Sequence, residues 1–244
     1  MNPNSNDAPA LTIRPEWLCS GSGPRIARLY HRVLGCVLFV AWLSLGTQIH
    51  LLIGSRGLLP IAPLAARVRD LGPGVWAQFP SWLLLDPSDT ALSAGIGIGL
   101  LLALLAICGI ASRLCLLLSA PLYLGYAVAG QDFTGFQWDN LLVESCLLAT
   151  CLPRRRAAPV AHTLLRLLLF KIYFESGIAK AQSYLGDWVD GSAMRFYYET
   201  APLPAWPGWY AHHLPELWHT IESWGALGLE LGGAFLILGP RRAR

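Results

Sequence analysis

Three stretches of this chain run for about twenty residues without a single Asp, Glu, Lys or Arg, or with only one between them. Residues 33–55 and 90–112 are uncharged, and 114–131 follow immediately after the lone Arg113. A helix needs about 20 mostly apolar residues to cross a bilayer. Three further stretches have the length but carry charges: 136–152 with Asp139 and Glu144, 160–183 with Arg166, Lys171, Glu175 and Lys180, and 216–238 with Glu222 and Glu230. The expected fold is therefore all-α, a polytopic membrane helical bundle of about six transmembrane helices. The single Arg113 leaves room only for a tight hairpin between the second and third. Hydrophobic residues make up 54% and charged residues 14%, against about 25% charged in soluble domains, so the surface cannot all face water. A disordered chain, a coiled coil and an ordinary cytosolic enzyme are excluded.

The expected organisation is a polar N-terminal segment (1–28), one transmembrane helical domain (29–240) and a basic tail (241–244). Residues 1–28 lack the apolar core of a cleavable signal, so the first span is expected to act as an uncleaved anchor. With the N-terminus inside, the inner segments hold eleven Arg (14, 25, 28, 32, 113, 154–156, 241, 242 and 244) and the outer ones four (56, 67, 69 and 195). This imbalance places both termini in the cytoplasm. The 131–139 turn and the 184–215 segment then lie on the outer face.

The chain has 18 basic residues, of which only Lys171 and Lys180 are lysines, and a net charge of +3, too small to argue for nucleic acid. Lys171 and Glu175 are one helical turn apart and form a natural ion pair. Lys180 lies nine residues past Lys171, on the opposite face, and has no carboxylate four residues away. Its candidate partners are Glu144, Glu222 and Glu230. Paired, these charges orient the bundle; a dehydrated Lys180 with Glu144 or Glu230 beside it could instead act as a base. Gly95 with Gly99, and Gly228 with Gly232, have the spacing of close helix packing.

Residues 197–215 hold four Pro and a run of Tyr, Trp and His, which excludes a continuous helix. Such a segment suits the headgroup level or a binding surface. His212, His213, Glu216 and His219 suggest a metal site, but only Glu216 and His219 share a helical face, and none is expected. The six Cys contain no CxxC pair and read as small buried hydrophobes rather than a disulfide framework or zinc site.

Several segments resemble the lipase maturation factor family. They are Gln48-Ile-His-Leu-Leu-Ile-Gly-Ser-Arg-Gly-Leu-Leu-Pro60, Gly130-Gln-Asp-Phe-Thr-Gly-Phe-Gln-Trp-Asp-Asn-Leu-Leu-Val-Glu144, residues 167–188, and above all Tyr197-Tyr-Glu-Thr-Ala-Pro-Leu-Pro through His212-His-Leu-Pro-Glu-Leu-Trp-His219. The resemblance runs from about Arg28 onward. It implies a non-enzymatic factor that assists maturation or assembly of a secreted or membrane client. The client-facing residues would be Gln137, Trp138, Asp139, Tyr197, Glu199, Pro202, Trp209, His212 and His213. The family members compared are longer, with a soluble part facing the lumen, so a partner subunit supplying that part is an expected partner beside the bilayer and the client. A fainter similarity, through Phe170-Lys-Ile-Tyr-Phe-Glu-Ser-Gly-Ile-Ala-Lys180 and Asp187-Trp-Val-Asp-Gly191, extends to vitamin K-dependent carboxylase-like membrane proteins. It implies the alternative, an enzyme with Lys180 as base on a lipid-soluble, quinone-like substrate. No cofactor is expected, and the reading leans away from an enzyme. The Arg-over-Lys bias points to a bacterial inner membrane, or the endoplasmic reticulum membrane in a eukaryote.

Overall fold

The computed structural model describes residues 24–76, 78–152, 159–201 and 205–239. Its elements are all helical: α1 (Pro24–Ile53), α2 (Ile61–Asp70), α3 (Asp89–Cys108), α4 (Ser112–Ala129), α5 (Gln137–Thr150), α6 (Pro159–Ala181), α7 (Ala193–Thr200) and α8 (Trp206–His212). The last described elements are α9 (Glu216–Gly228), a π-helical turn (Leu229–Gly233) and α10 (Ala234–Leu238), which run on as one helix. Most of segment 1–28, the tail 241–244 and the arginines 154–156 lie outside the described residues, as does Pro202.

Among the described residues, four helices are long and apolar enough to cross a membrane: Arg25–Ile53, Asp89–Cys108, Ser112–Ala129 and Glu216–Leu238. The other two expected spans exist as helices, with different properties. The 14 residues of α5 reach about 21 Å at 1.5 Å per residue, short of a hydrocarbon core of about 30 Å. The 23 residues of α6 are long enough, but this helix carries Arg166, Lys171, Glu175 and Lys180.

Local chemistry explains the boundaries. Ser88 caps α3 by accepting the Ala91 N–H at 3.1 Å, and Asp89 places a negative charge in the first turn, where the helix dipole favours it. Gly109, at φ +82°, closes the other end: its N–H and that of Ile110 return to the carbonyls of Ala106 and Leu105. Only Gly109, Ile110 and Ala111 separate α3 from α4, so the expected tight hairpin is present.

The core lies among α1, α3, α4 and α5. Trp42 is fully buried and packs edge-on against Tyr123 and Tyr126, with both ring centroids 5.2 Å away. Gly99 permits this, since a Cβ there would strike the Trp42 ring, and one at Gly95 would strike Tyr126 and Trp82. Lipid gives helices no hydrophobic reason to associate, so such close approach is what holds them. The Gly228 and Gly232 positions differ: nothing lies within 4 Å of a Cβ built at either.

The segment between the first two spans folds onto the bundle end. α2 buries Ile61, Ala65 and Val68. The 3₁₀ turn Trp82–Leu84 then inserts Trp82 beside Tyr126 at 5.8 Å, and Ser81 donates to the Gly125 carbonyl at 2.7 Å.

Candidate functional site

The half-turn offset between the two lysines of α6 sends them to different neighbours. Lys171 faces α5 and donates to Glu144 Oε1 at 2.6 Å. The sequence expectation had been a pair with Glu175 on the same helix. The cross-helix carboxylate takes that place, because α5 packs against this side of α6. Glu175 lines the same groove as Glu144 and Lys171.

Lys180 faces the last helix. Its ammonium donates to Glu230 Oε1 and to Ser176 Oγ, the latter at 3.2 Å, and lies 4.9 Å above the Trp188 ring. Of the three candidate carboxylates, Glu230 is therefore the partner. The side chains retain 24% and 16% of their exposure, and Glu230 Oε2 is buried with no hydrogen-bond partner among the described residues. Glu230 sits in the π-helical turn, which displaces it from regular helical register toward α6. Gly177 makes room there, since a Cβ would lie 2.9 Å from Leu231 and 3.1 Å from the Glu230 Cβ.

The expected client-facing residues divide into two groups. Gln137 and Trp138 are exposed at the start of α5, with Trp138 stacked on Phe136 at 4.5 Å. Asp139 turns inward: it is only 7% exposed and accepts a hydrogen bond from Tyr123 at 2.8 Å. It anchors the start of α5 to α4 rather than standing on the surface.

The segment after α6 is more ordered than its prolines suggest. α7 packs against both α8 and α9, leaving an open apolar pocket lined by Tyr197, Tyr198, Pro207 and Ala211. Beneath that surface runs a polar chain. Glu199 pairs with His212 Nε2 at 3.3 Å, the His212 carbonyl meets His219 Nε2 at 3.2 Å, and His219 Nδ1 faces Glu222 at 3.5 Å. Tyr198 donates to Glu222 at 3.1 Å. Burial first, and then this carboxylate, push the Tyr198 phenol above its ordinary value. Arg195 holds Glu216 at 2.8 Å, and His213 contacts the Trp209 carbonyl at 2.7 Å. The four residues that suggested metal ligation thus have separate partners, and no group of three or more metal-ligating side chains forms among the described residues. Facing outward, Tyr197, Trp206, Trp209 and Tyr210 form an aromatic surface on which Trp206 is 81% exposed.

The sequence reading missed the insertion of Trp82. Its only sequence signal was an aromatic–Pro–Ser–Trp string (79–82) between two spans.

Long apolar helices packed closely at Gly95 and Gly99 define an integral membrane protein of the all-α polytopic class. Residues 25–244 match the family described as "Lipase maturation factor transmembrane domain". The chain is 31% identical to human lipase maturation factor 2 over 91% of its length, and 33% identical to the chicken protein over 91%. It is 30% identical to mouse lipase maturation factor 1 over 87%. The chain belongs to the lipase maturation factor family. It spans 35% of the human, 34% of the chicken and 40% of the mouse relative. No solved structure matches it.

Proposed function

We propose that this chain assists the maturation or assembly of a secreted or membrane protein. The relatives are named as lipase maturation factors, so a secreted lipase is the first client to test. The observation that carries the reading is the aromatic surface of α7 and α8, which leaves Tyr197, Trp206, Trp209 and Tyr210 exposed on a polar foundation. Tyr and Trp dominate protein–protein contacts because they bring large rigid area at little entropic cost. Gln137 and Trp138 add to the client-facing surface, while Glu199 and His212 support it as a pair at the rim. Asp139 acts indirectly, by fixing the start of α5. The positive-inside imbalance supports displaying this surface on the extracytoplasmic side. Lys180, held by Glu230 and Ser176, supports architecture rather than base chemistry.

The test replaces Tyr197, Glu199 and Trp209 with Ala together. Partner recovery in detergent and secreted lipase activity are expected to fall about tenfold or more, with the membrane protein itself folded as before. Unchanged recovery and activity would sink the proposal.

A further inference from the structure

The groove between α5 and α6 is lined with charge. It is a cavity of about 110 Å³ with Gln137, Asn140, Glu144, Lys171 and Glu175 on its walls. Lys171 and Glu144 keep 45% and 36% of their side-chain exposure although they pair with each other, and Glu175 is exposed too. On the same helix, Leu164, Leu167 and Leu169 are exposed apolar side chains of the kind that face acyl chains. Charged side chains beside acyl chains are met by polar groups, which suits this groove to a lipid headgroup.

We infer that the groove between α5 and α6 binds the headgroup of a phospholipid carrying a primary ammonium on a phosphate diester. An ammonium has three N–H donors, and Lys171 uses one on Glu144. The others, with the amide groups of Gln137 and Asn140, suit a phosphate. Glu175 lies one turn along α6, roughly 5–6 Å away, and suits the ligand ammonium. The polarity of this pair matches a lipid lying in a leaflet. Leu152 clusters with Ala161 and Lys171 pairs with Glu144, so α5 and α6 run antiparallel; Glu175 then lies one turn nearer the start of α5 than Lys171, which lies deeper. The ligand ammonium then points to the membrane surface, the phosphate sits below it, and the acyl chains continue past the exposed Leu167 and Leu164. Two carboxylates against one ammonium leave the groove net negative, which disfavours an anionic lipid. A primary ammonium can donate to Glu175, whereas a quaternary one cannot. The inference is independent of the maturation role.

The test is lipid retention by the full chain in detergent, read by native mass spectrometry against an equimolar mixture of phosphatidylethanolamine, phosphatidylcholine and phosphatidylglycerol. Phosphatidylethanolamine is expected to be retained about tenfold over phosphatidylglycerol and several-fold over phosphatidylcholine. Glu175→Gln should remove that preference, and Asn140→Leu should weaken retention, with unchanged tryptophan-fluorescence melting. Equal retention of the three lipids, or a Glu175→Gln chain that still selects phosphatidylethanolamine, would overturn the inference. So would displacement of the lipid by soluble glycerophosphoethanolamine at equal concentration, since the groove would then be an aqueous solute site.

Discussion

Glu230 reaches Lys180 beside Gly177, from inside the π-helical turn Leu229–Gly233 of the last helix. Glu230 Oε2 is buried and Lys180 is also held by Ser176 and Trp188, so each charge depends on the other for compensation. Breaking a buried pair costs about 3–5 kcal/mol; this pair keeps some exposure, so Lys180→Met or Glu230→Gln alone should cost about 1–3 kcal/mol. The double variant Lys180→Met with Glu230→Leu should recover most of that loss. Thermal melting of the purified chain checks it, and a double variant weaker than both singles would contradict the pairing.

The two glycine pairs should behave differently. Gly99→Ala pushes a methyl group into the Trp42 ring and should lower stability by about 1–3 kcal/mol. Gly232→Ala meets nothing within 4 Å and should be neutral, or stabilising by about 0.5–1 kcal/mol through the lower backbone entropy of Ala. Parallel melting curves decide; equal losses at both positions would mean that the second face is covered.

Alkaline pH should loosen the surface segment through Tyr198. Its phenol is held above the ordinary value by burial and by its bond to Glu222. The folded value being the higher, this contribution is complete below the unfolded value of about 10 and disappears as pH rises through the folded one. Tyr198→Phe should cost about 1 kcal/mol at neutral pH and flatten the alkaline decline. Limited proteolysis of the 184–215 segment across pH measures both, and an unchanged slope in the variant would refute the assignment.

Sidedness can be read with impermeant thiol reagents. Cys151, exposed at the end of α5, should label from the cytoplasm, and Tyr184→Cys, at a position 95% exposed, should label from the opposite side. Labelling of both from one side would break the inside-positive topology.

Much of the architecture is legible along the chain, because hydropathy and helix boundaries are local. The apolar span near 90–112 and the tight hairpin after it follow from neighbours within a few residues, whereas the same GxxxG spacing marks a close approach at Gly95 and Gly99 and none at Gly228 and Gly232. The opposite facing of Lys171 and Lys180 follows from 3.6 residues per turn. Family membership was readable from the aromatic and proline string of residues 197–219.

Partner choice was not local. Whether Lys171 meets Glu175 or Glu144, and whether Lys180 meets Glu144, Glu222 or Glu230, depends on the rotation and register of whole helices. For Lys180 these show at Gly177 and in the π-helical turn, neither of which has a hydropathy signature. Asp139 was grouped with its exposed neighbours Gln137 and Trp138, yet helical geometry turns it about 100° from Trp138 and into the Tyr123 hydroxyl. Sequence alone therefore determined that this is a helical membrane protein with charges in need of compensation. Only the packing of helices against one another decided which charge answers which, because that choice is made across space between residues far apart in the chain.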